Sequence, residues 1–148
     1  MHFEVSIRRS PGEVWAYLSD WRHELDWQPG WLEVVVEPAG PIRTGTRKTK
    51  VRRTPLGVQS LTVEATRVDD AAREWDDLVV DGLAAGSIGR YRVAADDSGT
   101  RVTIDVVTPR RGARRWLSPI IERSSGPVLK AGLERLKLIL ENEAAISG

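Results

Sequence analysis

Apolar positions along the chain recur first with the period of a strand, then with that of a helix. Phe3, Val5 and Ile7 alternate with Glu4, Ser6 and Arg8, which predicts a half-buried strand over Phe3–Arg9. Ser10-Pro11-Gly12-Glu13 then carries three helix-start signals: a capping serine, a proline suited to the first turn and a glutamate that completes a capping box. The helix it opens places Val14, Trp15, Leu18 and Trp21 on one broad face, and a short helix or turn over 20–30 ends at Pro29-Gly30. Six further strands are predicted: Leu32 to Val36, with Leu32, Val34 and Val36 on one face, then Thr44–Thr54, Val58–Val68, Arg73–Val80, Ala85–Ala95 and Thr100–Thr108. Asp69-Asp70, Asp81-Gly82 and Asp96-Asp97-Ser98-Gly99 are the residue types that hairpin turns favour. Gly112–Ser125 is expected to be helical, with Gly126-Pro127 kinking or breaking it. From Pro127 to about Glu143 the period changes. Leu129, Leu133, Leu136 and Leu140 fall at i, i+4, i+7 and i+11, a helix with one face laid on a core.

Strand, two short helices, six strands and a long helix make an α+β domain with helices segregated to one face of an antiparallel sheet. Nothing in the chain repeats or reads as a linker, so 1–148 is taken as a single domain. Ser10-Pro11-Gly12-Glu13-Val14-Trp15 with Leu18 and Asp20, then Trp27 with Pro29, form the first part of a familiar pattern. Gly45-Thr46-Arg47, Gly99-Thr100-Arg101-Val102-Thr103 and Leu133-Glu134-Arg135-Leu136-Lys137 continue it in order. Over essentially its whole length the chain resembles the START-like, Bet v 1-type helix-grip superfamily (SRPBCC), within it the polyketide cyclase/dehydrase and lipid-transport group. The resemblance implies a curved seven-stranded antiparallel sheet wrapped around the C-terminal helix, with a deep cavity for an apolar molecule between them. It does not imply a shared reaction, because one fold hosts many functions.

Composition removes several alternatives. A net charge of +1 provides no field to draw in nucleic acid, and the absence of cysteine excludes disulfides and thiol catalysis. The N-terminal MHFEVSIRRS lacks the apolar core of a signal peptide, and no stretch approaches the ~20 apolar residues of a membrane span. A cytoplasmic location is the expectation. Six tryptophans stand against one phenylalanine and two tyrosines. Trp15 and Trp21 read as core, whereas Trp27 and Trp31 divide evenly between core and the wall of a pocket.

Strand parity nominates the candidate chemistry. Leu61, Val63, Ala65 and Arg67 share a face, so Arg67 is either an inward cation or a rim residue paired with Asp69, Asp70 or another acid. The resemblance implies a pocket arginine at Arg67, able to stabilise a developing enolate, and sets Val34 where some aromatase/cyclases carry a tyrosine. Trp75, Asp77 and Val79 form another row. If Asp77 faces inward, burial raises its pKa and makes it a candidate base; the alternative, that it reaches solvent, is favoured because aspartate is seldom buried. Ser87, Gly89, Tyr91 and Val93 form a row in which small residues leave volume and Tyr91 offers a hydroxyl to a ligand. The seventh strand contributes Val102, Ile104 and Val106 as wall.

Asp20, His23 and Asp26 read as turn and cap contacts rather than metal ligands, and no metal or cofactor is expected. The run Arg43, Arg47, Lys48, Lys50, Arg52, Arg53 reads as a solvated outer face balanced by acids on the next strand. Arg110, Arg111, Arg114 and Arg115 beside Trp116 and Leu117 give a minor case for transient membrane contact. The expected partner is a small hydrophobic ligand such as a lipid, polyketide or isoprenoid, bound by a monomer or homodimer for carriage or sequestration. Its walls would be Trp27, Trp31, Val34, Val63, Trp75, Ser87, Tyr91, Ile104, Leu129, Leu133 and Leu136. The alternative is a polyketide cyclase or dehydratase using Arg67, Asp77 and Tyr91. A third reading is a protein-partner module presenting the basic sheet face or the Trp-rich first loop.

Overall fold

A computed structural model describes residues 1–109 and 118–147. Strand β1 (His2–Ile7) is followed by α1 (Pro11–Leu18), a 3-10 turn (Trp21–His23) and α2 (Glu24–Trp27). Then come β2 (Glu33–Glu37), β3 (Arg47–Thr54), β4 (Gly57–Asp69), β5 (Glu74–Asp81), β6 (Ile88–Asp96) and β7 (Gly99–Val107), with α3 (Ser118–Ser147) last. The seven strands form one antiparallel sheet in the order β1-β7-β6-β5-β4-β3-β2. This is the helix-grip arrangement.

The short helices form for the reasons their sequence supplies. The Ser10 hydroxyl accepts from the Glu13 amide at 3.3 Å, and Pro11 occupies the first turn of α1. Asp20 caps the 3-10 turn through the Arg22 amide at 3.1 Å and pairs with its guanidinium. His23 stacks on Tyr17 and places its Nδ1 2.8 Å from the Tyr17 carbonyl. Asp20 and His23 thus make turn contacts, and among the described residues no acidic or histidine cluster could hold a metal.

Gly132, Leu133, Leu136 and Leu140 form the buried stripe of α3, with Leu129 and Ile139 at its edges. Gly126-Pro127 does not break the helix: Pro127 lies inside a continuous helix, on its exposed side. The lost backbone bond is tolerated where solvent-exposed neighbours can absorb it. Arg110, Arg111, Arg114, Arg115, Trp116 and Leu117 lie outside the described residues. Among the described residues no helix is long and apolar enough to cross a membrane.

The core gathers Val14, Trp15, Leu18 and Trp21 from the first helical region against Ile7, Trp75, Val93, Val102 and Ile104 of the sheet and Leu133, Leu136 and Leu140 of α3. Trp75 is its aromatic hub: Trp15 and Trp21 meet it at 5.7 and 6.3 Å, and Tyr91 stacks on it at 4.3 Å. Leu32, expected to share one face of the second strand with Val34 and Val36, precedes β2 and is exposed.

Candidate functional site

Towards the loop end of the sheet the core stops and a cavity of about 390 Å³ begins. Its apolar wall comes from Leu61 and Val63 of β4, Val79 of β5, Ile88 of β6, Val106 of β7, and Val128 and Leu129 of α3. Trp31 and the Gln28–Gly30 turn border one side, and Arg52, Arg53, Thr54 and Pro55 of the β3–β4 hairpin flank the mouth. The polar lining is concentrated in Gln28, Lys48, Lys50, Asp77, Ser87 and Tyr91.

Alternation on β3 builds the first half of this polar end. Lys48 and Lys50 share the parity of buried Thr46 and point inward, while Arg47 points outward to Glu64 at 2.9 Å. Two buried ammonium groups are costly unless compensated. The compensation is Glu24, 2 % exposed, delivered from α2: its Oε1 accepts from Lys48 Nζ and its Oε2 stands 3.0 Å from Lys50 Nζ. Lys50 also donates to Gln28 Oε1. Lys48 lies 4.0 Å over the Trp21 ring and Lys50 4.2 Å over Trp31. Burial alone would raise the Glu24 pKa, yet Lys48 and Lys50 hold it below the usual carboxylate range. Burial pushes Lys50 down to about 8, against the pull of Glu24.

The second half lies on β5 and β6. Asp77 pairs with Ala65 on one side and Gly89 on the other, so two small residues leave space for its inward carboxyl. Asp77 Oδ2 accepts from Trp75 Nε1 at 3.1 Å. Burial pushes Asp77 up to about 6, opposed first by Lys48. Burial, followed by the charge on Asp77, holds the Tyr91 phenol well above its ordinary value, so it is a hydroxyl at neutral pH. The Ser87 Oγ is buried without a hydrogen-bond partner. A buried carboxyl pushed up to about 6, two hydroxyls and a pair of ammonium groups therefore face one partly apolar space. Such a set can orient a carbonyl or hydroxyl and can move a proton.

Gly89 sets the carboxyl's position. A Cβ there would lie 2.6 Å from Asp77 Oδ1 and 3.1 Å from the Tyr91 ring. Gly89→Ala is therefore expected to displace the carboxyl and destabilise the fold by about 1–3 kcal/mol. Urea unfolding of the variant, with an NMR titration of Asp77, checks this; an unmoved midpoint and an unmoved titration would refute it.

The residues nominated from sequence separate into two groups. Trp31, Val63, Asp77, Ser87, Tyr91 and Leu129 line the cavity. The others lie elsewhere. Arg67 is on the outer face, with its side chain 48 % exposed and Nε 3.0 Å from Asp76 Oδ2. A bulge between Ala65 and Arg67 breaks the row's parity, setting Arg67 opposite Asp76 while Ala65 stays opposite Asp77. Trp27, Ile104, Leu133 and Leu136 are packed into solid core. Their packing is close because α3 approaches Trp27 at Gly132, where a Cβ would stand 3.2 Å from the Trp27 carbonyl oxygen. Trp75 lies behind Tyr91, and Val34, opposite Lys50 near the sheet edge, is half-buried and outside the lining. Sequence reasoning misses Lys48, Lys50, Glu24 and Gln28. The inner parity of Lys48 and Lys50 is the available signal, and reading the whole basic run as outer face obscures it.

Comparison with known proteins places this architecture. Residues 1–141 match the family described as polyketide cyclase/dehydrase and lipid transport. No curated protein matches the sequence. Among solved structures, the chain superposes on TTHA0849 from Thermus thermophilus with a TM-score of 0.72 at 15 % identity, covering 100 % of this chain and 98 % of that one. The Zhui aromatase/cyclase from Streptomyces sp. R1128 gives 0.66 at 19 % identity, covering 92 % of each chain. The di-domain ARO/CYC StfQ of the steffimycin biosynthetic pathway gives 0.72 at 10 % identity, covering 98 % of this chain and 46 % of that one. At these identities the likeness is one of fold. With the family match running from the first strand into the closing helix, the chain belongs to the polyketide cyclase/dehydrase and lipid-transport family.

Proposed function

We propose that the chain binds a small hydrophobic molecule with one polar end, of lipid, polyketide or isoprenoid type, in the cavity beneath α3, for carriage or sequestration. The carrying observation is the mixed lining: the apolar Leu61, Val63, Val79, Ile88, Val106 and Leu129 share one cavity with the polar Lys50, Asp77, Ser87 and Tyr91. Its volume falls in the lower part of the range for small-molecule sites, about 300–1,000 Å³. Each ligand methylene buried there contributes about 0.8 kcal/mol. The unpartnered Ser87 hydroxyl and the Tyr91 phenol would fix the polar end.

Leu129→Trp fills the cavity from the helix side. It is expected to weaken binding of a medium-chain probe such as decanol at least about tenfold, close to 1.4 kcal/mol. Native mass spectrometry or calorimetry reads this directly. Unchanged affinity would put the ligand somewhere else.

A second reading is an enzyme acting on a poly-keto substrate in the same space. What favours it is Asp77, a carboxyl near pKa 6 inside the cavity and therefore matched to proton abstraction at neutral pH. Asp77 and Tyr91 would carry the proton transfer, and Lys50 replaces Arg67 as the cation in reach. Turnover by Asp77→Asn equal to that of the parent would remove this reading.

A further inference from the structure

The chain contains 22 lysine and arginine residues, of which only Lys48, Lys50, Lys130 and Lys137 are lysine. Positive charge is thus carried mostly by arginine, yet among the described residues both buried cations are lysines. The distinction is chemical. Arginine stays charged at any pH a protein meets, whereas a buried lysine can shed its proton and become a nucleophile.

Of the two, Lys50 is the one placed for chemistry. Lys48 is held by Glu24 and lies over Trp21, a core residue outside the cavity lining. Lys50 lies over Trp31, which borders the cavity; it donates to the neutral Gln28 and stands 3.0 Å from Glu24 Oε2. The groups facing it are Glu24 and Gln28 from the α2 region, Lys48 on its own strand, Asp77 and Tyr91 across the cavity, and Trp31 with Arg52 at the mouth. When Lys50 loses its proton, Glu24 keeps Lys48 as its partner, so the neutral amine leaves no orphaned carboxylate.

We propose that Lys50 captures an aldehyde or ketone on an apolar ligand as a reversible imine, with Asp77 as its proton donor and acceptor. This rests on the cavity taking an apolar ligand. The neutral Lys50 Nζ adds to the carbonyl carbon, forming a C–N bond while the carbonyl π pair moves to oxygen. Proton transfer gives a neutral carbinolamine. Protonated Asp77 then supplies a proton to the departing hydroxyl, water leaves, and the nitrogen lone pair forms C=N. The nitrogen proton returns to Asp77, so amine and carbonyl become imine and water with no oxidant or reductant. Burial favours the amine in this step: with Lys50 at about 8, the neutral fraction at pH 8 is on the order of a hundredfold above that of an ordinary solvated lysine.

The test uses 2-decanone with sodium cyanoborohydride, which reduces imines to stable secondary amines, followed by intact-mass and peptide analysis. Decanol serves as the non-reactive probe of the same cavity. The expected result is one adduct, mapped to Lys50 at least about tenfold above Lys130 and Lys137, with an initial rate greatest between about pH 6 and 8, where neutral Lys50 and protonated Asp77 coexist most. The Lys50→Arg variant should lose the adduct. Decanol binding with no adduct, or equal labelling of Lys50, Lys130 and Lys137, would overturn the imine and leave the binding reading intact. Failure of both decanol and 2-decanone to bind would overturn both. The site selectivity is read on the unmodified chain, so the outcome does not depend on the variant folding.

Discussion

Glu24→Gln is expected to destabilise the fold by about 3–5 kcal/mol, the usual cost of removing one partner from a buried ionic group. A domain of this kind has a total stability of about 5–15 kcal/mol, so the urea midpoint should move far or folding should fail. The magnitude follows from the geometry. Lys48 and Lys50 are 3 % and 5 % exposed, and both use Glu24 as their acid. Glutamine leaves two ammonium groups in the core with amide oxygens as hydrogen-bond partners and Asp77 as the nearby acid. The penalty has a pH signature. Lys50 already sits at about 8, and losing Glu24 pushes it lower, so the Lys50 share of the deficit should shrink as the pH rises towards 8 and vanish above it. A triple variant, Glu24→Leu with Lys48→Met and Lys50→Met, is expected to recover most of the loss, because it removes the charges with their compensation. A Glu24→Gln variant within about 0.5 kcal/mol of the parent would mean the three groups are solvated, contrary to the packing described.

Asp77→Asn is expected to act in the opposite direction. With Asp77 at about 6 in the folded chain and about 3.9 unfolded, the native state holds an extra proton between those values. Its stabilising contribution is therefore full below about pH 4 and is lost as the pH rises through 6, roughly 3 kcal/mol in all. Asparagine carries no charge, and its side-chain oxygen can still accept from Trp75 Nε1. The variant should match the parent near pH 4 and exceed it by up to that amount at pH 7–8, while proton transfer or imine formation in the cavity falls. Thermal unfolding at pH 4, 6 and 8 reads the difference directly. Parallel pH profiles for the two proteins would show that Asp77 titrates as a solvated acid. A parent less stable than its own Asn variant marks a group kept for chemistry rather than for folding.

The fold is legible because its periods are clean. Alternation locates all seven strands, and the spacing of Leu129, Leu133, Leu136 and Leu140 locates the closing helix and its buried face. What escapes is whatever depends on contacts across the fold. Of the two alternatives for Arg67, the rim pairing with acids is the one seen, because the bulge after Ala65 reverses the row, and a bulge has no signature in alternation itself. Burial of Asp77 follows from the room left by Ala65 and Gly89 on adjacent strands, which becomes visible only once the register is known. Lys48 and Lys50 share the inner parity in the sequence alone. A lysine row reads as outer face until an acid is found for it, and Glu24 comes from a four-residue helix whose orientation no local pattern sets.

Asp77 Oδ1 occupies the space a Cβ at residue 89 would need, which makes positions 77 and 89 a single unit of inheritance. While an acid is kept at 77, selection must refuse every side chain at 89, including a methyl. A descendant that exchanged the acid for a shorter neutral residue would release 89 to enlarge, and the enlarged residue would then bar the acid's return. Among relatives these two sites should therefore change together and in that order.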